Sequence, residues 1–479
     1  MLFNSLKFAA FFPAVTLGYF VLPHRLRAVW LLAASYLFYM CWNPRYALLM
    51  LASTAVTWAA GLAMERTAHR KAVLAVSLVL NLGILFIFKY ASFVLDNLNA
   101  ALAVFGKDPV LGGFSVLLPV GISFYIFQAV GYTIDVYRRR LPAERSFLYY
   151  ALFVSFFPQL VAGPIERSTN MLPQLHEKHR FDYERIKSGL VQMLGGYLEK
   201  MVIADRLALL VDAVWQQESP GGAAAWLAVF FFALQLYCDF ASYSDIAIGA
   251  ARVMGFDLMR NFDSPYLAPT LGQFWDRWHI SLSKWFQDYL YIPLGGSRKG
   301  LARTCVNLLI VFLVSGLWHG AAWTFVLWGA AHGVYSVIAR LTAAPRARLR
   351  QRLGLPAGLH RVLSTIWVFF FVSLTLVLFR ADSLPAAGRM FAGLLRWDTP
   401  LDWAALGLDK PDFIVALAAI AVLFIFDLLR AKGGPVRERF LARPLWVQWP
   451  VLLAGLLALA VFGMYGEGYV EQPFIYFQF

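Results

Sequence analysis

One histidine lies between two glycines at the junction of two long apolar runs. The segment Ser315-Gly-Leu-Trp-His-Gly320 places His319 there. An ionisable side chain among apolar residues is costly to bury and is therefore a functional candidate. A neutral imidazole can remove a proton from a hydroxyl nucleophile, a task that histidine performs more often than any other side chain. We take His319 as a candidate general base, against the alternative of an interfacial histidine beside Trp318.

A second histidine lies in the aromatic segment Phe274-Trp-Asp-Arg-Trp-His-Ile-Ser-Leu-Ser283. A helix over residues 274–290 would carry one aromatic face, with His279 at its edge and Ser283 one turn away. That position suits a residue turned towards a pore or a substrate, and a structural histidine at a helix edge is the alternative. No metal site is predicted, because no second ligand follows at a recognised spacing.

Polar residues also interrupt the long apolar segment 222–253. Gln235, Asp239 and Asp245 fall within it, together with two serines. Their spacing lets several of them share one helix face, which favours a polar lining for a channel through the protein. Hydrogen bonds between neighbouring helices are the alternative.

The elements that position these residues must lie in a membrane. Of 479 residues, 60% are hydrophobic and 15% charged, whereas an ordinary soluble domain has about 25% charged residues. Apolar runs near 20 residues match the thickness of a bilayer core. The net charge of +14 is concentrated in short connections, as in cytoplasmic loops, so membrane lipids are expected partners and nucleic acid is not. The three cysteines lie far apart and indicate neither a metal site nor a disulfide framework.

We predict one membrane domain over residues 1–479, with both termini on the side opposite the basic loops. Spanning helices are predicted at residues 6–22, 28–42, 45–63, 72–95, 114–135, 146–165, 222–253, 303–319, 321–341, 361–380, 412–429 and 446–465. The apolar spacing from Ile186 to Met201 predicts an amphipathic helix with Glu199 and Lys200 off its apolar face. Residues 166–221 and 254–302 are otherwise left unassigned.

Several segments together resemble the membrane-bound O-acyltransferase family, in particular its bacterial alginate O-acetyltransferase branch. The resemblance rests on the aromatic segment ending at Ser283, on Asp288-Tyr-Leu-Tyr-Ile-Pro-Leu-Gly-Gly296 and on Gly316-Leu-Trp-His-Gly-Ala321. Further matches, in chain order, are Leu118-Pro-Val-Gly-Ile-Ser-Phe-Tyr125, Pro158-Gln-Leu-Val-Ala-Gly-Pro164, Tyr243-Ser-Asp-Ile-Ala-Ile-Gly249 and Phe474-Ile-Tyr-Phe-Gln-Phe479.

The resemblance implies an all-α polytopic membrane protein of the bacterial inner membrane. About 11–12 transmembrane helices, with re-entrant and amphipathic helices, would surround a central funnel. His319 would be the catalytic residue, with His279 as a second site residue in a supporting role. The predicted funnel lining comprises Trp318, Asp239, Asp245, Ser283 and Gln235.

The function implied by the resemblance is transfer of an acetyl group across the membrane. Acetyl-CoA would be the cytoplasmic donor and no cofactor would stay bound. The acceptor would be an exopolysaccharide such as alginate or cellulose, reached through a periplasmic or membrane-anchored partner. The sequence leaves open peptidoglycan O-acetylation and transfer of D-alanine from a carrier protein to teichoic acid. A transporter is the alternative from another class, although no inverted repeat supports it.

Overall fold

The computed structural model describes residues 1–110, 117–161, 163–466, 472, 474 and 475, and their regular structure is helical. The α-helices are α1 Leu6–Val21, α2 His24–Met40, α3 Pro44–Arg66, α4 Arg70–Leu85, α5 Ala91–Val104, α6 Ile122–Tyr137, α7 Phe147–Ser155, α8 Phe157–Leu160, α9 Ser168–His176, α10 Tyr183–Leu198, α11 Asp205–Trp215, α12 Gly222–Val253, α13 Leu271–Trp275, α14 Ile280–Phe286, α15 Gly300–His319, α16 Trp323–Leu341, α17 Ala343–Leu353, α18 Ala357–Arg380, α19 Leu384–Gly393, α20 Lys410–Ala431, α21 Val436–Leu441 and α22 Leu445–Phe462. The π-helical segments are Phe86–Tyr90, Glu199–Ala204 and Gln287–Tyr291.

Seven helical segments of the described chain are long and apolar enough to cross a membrane. They are Pro44–Arg66, Arg70–Val104, Gly222–Val253, Gly300–His319, Ala357–Arg380, Lys410–Ala431 and Leu445–Phe462, and α1 is a shorter apolar helix. The predicted all-helical, polytopic membrane protein is thereby confirmed. The predicted span 146–165 is divided between α7 and α8: Phe156 between them is not helical, and Pro158 lies in the first turn of α8. Part of the predicted span 114–135 lies outside the described residues.

The chain divides into two compact units. The first contains Met1–Gly189 and Ala247–Met259, and the second contains Leu190–Ile246 and Arg260–Phe479. All the residues predicted to do chemistry or to line a funnel belong to the second unit. The expectation that residues 1–479 form one domain stays a prediction.

Polar side chains inside the first unit bind one another, as expected for helices packed away from water. Ser53 of α3 donates a hydrogen bond of 2.5 Å to the amide oxygen of Asn81 in α4. Tyr150 of α7 donates to the hydroxyl of Thr57 in α3 over 2.7 Å. These bonds join α3 to α4 and α7 without leaving a buried donor unsatisfied at those positions.

Glycines bring α15 and α16 of the second unit into backbone contact. A Cβ atom at Gly316 would lie 2.3 Å from the carbonyl oxygen of Phe325, and one at Gly329 would lie 2.3 Å from that of Phe312. Small residues permit such close approach between membrane helices. Because Gly316 precedes His319 by one helical turn, this contact fixes the end of α15 that carries the histidine.

The predicted continuous helix over 274–290 is wrong. The chain forms α13, then a turn, then α14, and His279 stands before α14 with φ 44° and ψ 54°. The left-handed conformation interrupts a helix, and it is tolerated where surrounding contacts fix it. Here the backbone N–H of Asp263 donates to Arg277 over 3.0 Å, and that of Ile280 donates to Asn261 over 2.9 Å. Bonds to residues 261–263 thus replace helical bonds within the turn.

The predicted amphipathic helix over 186–201 is observed as α10 and the start of the π-helical segment Glu199–Ala204. Lys200, predicted to lie off the apolar face, is nevertheless buried, and the residue is 1% exposed. Lys200 can be buried because its ammonium forms ion pairs with two carboxylates of the second unit. A charge with such partners can be buried where hydrophobic spacing alone would leave it exposed.

Candidate active site

His319 is the last residue of α15 and lies among aromatic rings. The ring centroids of Trp318, Trp328 and Phe379 are 5.0, 5.1 and 5.2 Å from that of the imidazole, all in edge-on arrangements. The side chain is 4% exposed. The carboxyl end of a helix stabilises a positive charge. The aromatic rings exclude water from the imidazole.

Gly320 allows the chain to leave α15 directly after His319. Its backbone is extended, and an added Cβ atom would lie 2.1 Å from the ring of Phe325. Any larger residue at this position would displace that ring, which also packs on Phe379 at 5.0 Å. The predicted importance of the glycines beside His319 therefore has a steric basis at both positions.

Trp318 connects the two candidate histidines. Its indole lies 5.0 Å from the ring of His319 and 5.8 Å from that of His279. All three side chains are buried. The structure thus gathers His319, Trp318 and His279 into one cluster of the second unit, although the two histidines are 40 residues apart in the chain.

His279 is held by polar partners on one side and by a ring on another. Its Nδ1 atom is 3.1 Å from the amide oxygen of Asn261, and its ring lies 4.6 Å from that of Phe240 in α12. Burial lowers the pKa of the His279 imidazole to about 3. The side chain is therefore neutral at physiological pH, which is the form that can accept a proton or a hydrogen bond.

The predicted lining residues Asp239 and Gln235 lie elsewhere in the second unit. Asp239 accepts hydrogen bonds from Lys200 Nζ at 2.5 Å and from the backbone N–H of Ile475 at 2.8 Å. With Gln235 and Lys200 it lines a small cavity that also includes Asp212 and Arg380, an ion pair at 2.7 Å. Asp239 therefore belongs to a buried ion pair with Lys200. Its place in a funnel wall stays a prediction.

Lys200 is shared between two carboxylates. Its ammonium lies 2.8 Å from Asp205 as well as 2.5 Å from Asp239. Burial opposes the charged form of Lys200, but the two carboxylates outweigh it and raise the pKa of the ammonium above its usual value. Lys200 is therefore charged in the folded protein, and the ammonium and the two carboxylates depend on one another for compensation.

The remaining predicted lining residues occupy two further places. Asp245 of α12 accepts a hydrogen bond of 2.7 Å from Gln192. The hydroxyl of Ser283 donates to the carbonyl oxygen of Trp278 over 3.3 Å. The backbone N–H of Ser283 also donates to the carbonyl oxygen of His279 over 3.0 Å, so Ser283 lies beside that histidine. A role of Asp245 or Ser283 in lining a funnel stays a prediction.

Sequence reasoning missed Asn261, Ser281 and Phe240, which surround His279. Asn261 lies in a stretch without hydrophobic periodicity, and the segment Arg260-Asn-Phe-Asp263 gives no motif that points to a site. An uncharged amide among charged neighbours is typical of a loop. Across the part of the chain that the structure describes, no three His, Cys, Asp or Glu side chains are grouped so that they could hold a metal ion.

The chain resembles known proteins along most of its length. The sequence profile of the membrane-bound O-acyltransferase family matches residues 135–379. A protein named "Probable alginate O-acetylase AlgI" from Azotobacter vinelandii is 38% identical over 454 residues, which cover 93% of this chain and 87% of that protein. A peptidoglycan O-acetyltransferase of Helicobacter pylori is 35% identical over 431 residues, covering 82% of this chain and 80% of its own length.

A more distant relative covers less of the chain. A teichoic acid D-alanyltransferase of Streptococcus thermophilus is 31% identical over 254 residues, which cover 48% of this chain and 59% of that protein. Both candidate histidines and Asn261 fall within the 135–379 segment that the family profile matches.

Proposed function

Because the chain belongs to the membrane-bound O-acyltransferase family, we propose that it transfers acetyl groups from cytoplasmic acetyl-CoA towards the O-acetylation of an exopolysaccharide, with alginate as the first candidate. It is an O-acyltransferase and a multi-pass protein of the bacterial inner membrane. The observation that best supports the proposed site is His319 at the carboxyl end of α15, packed through Trp318 against a neutral His279.

In the proposed reaction His319 acts as a general base. It removes the proton from an acceptor hydroxyl, whose oxygen attacks the thioester carbonyl. The new C–O bond forms, the C–S bond of the tetrahedral intermediate breaks, and the proton passes from the imidazolium to the departing thiolate. Base catalysis of this kind contributes about 10²–10⁴-fold in rate. The carboxyl end of α15 supports the positive charge that the imidazole carries during the reaction.

His279 is proposed to support this reaction as a second site residue. Its ring contacts Trp318, which in turn contacts His319. A neutral imidazole can orient the acceptor by accepting a hydrogen bond from a second hydroxyl group, because the proton of the attacking hydroxyl goes to His319. This role differs from that of His319, because no developing charge needs to reside on His279.

Relatives favour acetyl over D-alanyl transfer. The O-acetylating proteins match 82–93% of this chain, whereas the teichoic acid D-alanyltransferase matches 48%. Peptidoglycan is the second candidate acceptor, since the H. pylori protein named for that activity is 35% identical over most of the chain. We also propose that a periplasmic or membrane-anchored partner completes the transfer to the polymer.

The test is an acetyl-transfer assay with the purified protein in vesicles. Radiolabelled acetyl-CoA is supplied on the cytoplasmic side, and alginate, cellulose or peptidoglycan on the other, with and without a cell-envelope extract. We expect thioester consumption by the wild-type protein, and label in alginate once extract is added. The His319→Ala protein serves as the inactive control.

Each outcome distinguishes part of the proposal. Label in peptidoglycan instead of alginate would replace the proposed acceptor. Acetylation of bare alginate by the isolated protein would contradict the need for a partner. If wild-type protein and the His319→Ala protein consume acetyl-CoA at the same rate, the proposed site is wrong. Consumption of a D-alanyl carrier thioester alone would favour the teichoic acid reaction.

A further inference from the structure

Asn261 contacts the turn around His279 at several points. Its backbone oxygen accepts the N–H of Ile280 at 2.9 Å. Its side-chain oxygen lies 3.1 Å from His279 Nδ1, 2.9 Å from the Ser281 hydroxyl and 3.3 Å from the Ser281 backbone nitrogen. Its amide nitrogen donates to the hydroxyl of Ser244 in α12 over 2.9 Å. Asn261 is fully buried, with 0% exposure, so these protein groups define its hydrogen bonding.

The orientation of this amide follows from its neighbours. The backbone N–H of Ser281 can only donate, so the Asn261 atom that faces it must be the oxygen. The opposite orientation would place the NH₂ group of Asn261 against that N–H, and two donors cannot form a hydrogen bond with each other. The carboxamide nitrogen then faces Ser244, whose hydroxyl oxygen can accept its hydrogen bond.

The orientation of the amide in turn determines the tautomer of His279. At 3.1 Å from the amide oxygen, Nδ1 forms a favourable contact only if it carries the proton. The Ser281 hydroxyl donates to the Asn261 oxygen at 2.9 Å and lies farther from Nδ1, at 3.4 Å. It therefore does not replace the hydrogen bond between Nδ1 and Asn261. The neutral ring therefore carries its lone pair on Nε2.

We propose that Asn261 is a positioning residue that holds His279 as the Nδ1–H tautomer, so that Nε2 presents a hydrogen-bond acceptor to the substrate. The inference rests on the proposed function, and it assigns a role to a residue outside the predicted site. A buried amide achieves this without adding charge to the apolar cluster. It also fixes the left-handed backbone of His279, because the same residue bonds to the next two residues of the turn.

The matched substitutions are Asn261→Leu and Asn261→Asp. Leucine keeps a similar volume and removes the acceptor, whereas aspartate keeps an oxygen beside Nδ1. We expect Asn261→Leu to lower kcat by about 10²-fold, the largest loss expected for His279→Ala, with KM changed by less than about threefold, because the wrong tautomer removes a site interaction made in the transition state. Asn261→Asp should restore kcat to within about tenfold of wild type, since a carboxylate also holds an Nδ1–H imidazole.

Asn81→Leu is the control for losing a buried asparagine. Asn81 is likewise 0% exposed and hydrogen-bonded, to Ser53 in the first unit. Its substitution should leave kcat near the wild-type value when the folded fraction is normalised. Equal effects of the two leucine substitutions on kcat would show a structural role for Asn261 and overturn the proposal.

Nitrogen NMR of histidine-labelled protein gives a second readout that does not need a variant of Asn261. The His279 signals are assigned by their loss in His279→Gln protein. A protonated Nδ1 and an unprotonated Nε2 are expected in the wild type, and the reverse pattern would refute the proposal even if Asn261→Leu fails to fold. Failure of the proposed function can be told apart from failure of this inference. In the first case wild-type protein shows no acetyl transfer, while the tautomer of His279 can still be measured.

Discussion

At the scale of single residues, the two histidines occupy different environments. His319 closes a long helix inside an aromatic cluster, whereas His279 occupies a left-handed turn and is hydrogen-bonded to Asn261. A helix end stabilises a positive charge, and a fixed tautomer supplies an acceptor. We therefore propose proton removal as the role of His319 and orientation as the role of His279.

Substitution of each histidine should separate these roles. His319→Ala is expected to lower acetyl transfer by about 10²–10⁴-fold, because the general base is lost. His279→Ala should lower it by about 10–10²-fold, the cost of imperfect orientation. Rates measured with acetyl-CoA in vesicles, at matched protein levels in the membrane, test both values. More than about a tenth of wild-type activity in His319→Ala would contradict its assignment.

The buried Lys200 makes a prediction about stability. Lys200→Met should destabilise the protein by about 3–5 kcal/mol, because it leaves Asp239 and Asp205 without their shared cation. Lys187→Met is the control, since its partner Glu184 is 68% exposed, and such a pair contributes about 0–1 kcal/mol. Thermal unfolding in detergent measures the difference, and equal midpoints for the two variants would rule out a stabilising role for the buried cluster.

At the scale of secondary-structure elements, the contact between α15 and α16 decides where His319 lies. Gly316→Ala should reduce acetyl transfer strongly and destabilise the protein by about 1–3 kcal/mol, the usual cost of overpacking. The new methyl group would lie 2.3 Å from the Phe325 carbonyl oxygen, so the helices must separate. Activity per folded molecule and thermal unfolding are the measurements.

Gly83→Ala in α4 is the control for this substitution. It is also a glycine of an apolar helix, but an added Cβ atom there has no atom within 4 Å. Alanine should leave activity unchanged and, through its higher helix propensity, should not destabilise the protein. If Gly316→Ala behaves like this control, close packing of α15 and α16 does not position the site.

At the scale of the whole molecule, the basic connections determine the orientation in the membrane. The arginines of α17 predict that this helix is cytoplasmic, and α18 then carries the chain to the opposite side. In a protein with its three cysteines replaced, Arg348→Cys should react with an impermeant maleimide only after the membrane is opened. Asp398→Cys should react in intact spheroplasts. The reverse pattern would invert the predicted topology and the assignment of the donor to the cytoplasmic side.

The sequence by itself determined the membrane class and most spanning helices. The predicted segment 222–253 coincides with α12, and the predicted 303–319 differs from α15 only at its start. Such helices follow from composition, because a bilayer requires long apolar runs whose backbone hydrogen bonds are satisfied internally. The glycines beside His319 also indicated a site, since a buried ionisable residue between two apolar runs is rare whatever the fold.

Only the tertiary structure decided how the site is assembled. His279 is held by Asn261, 18 positions away in the chain, and Lys200 is held in part by Asp239, 39 positions away. Local periodicity describes which residues share a helix face, but it carries no information about hydrogen bonds between separate segments. Residues 274–290 were therefore predicted as one helix, and the burial of Lys200 was not predicted. Both differences arise because long-range polar contacts overrode the local pattern at these positions.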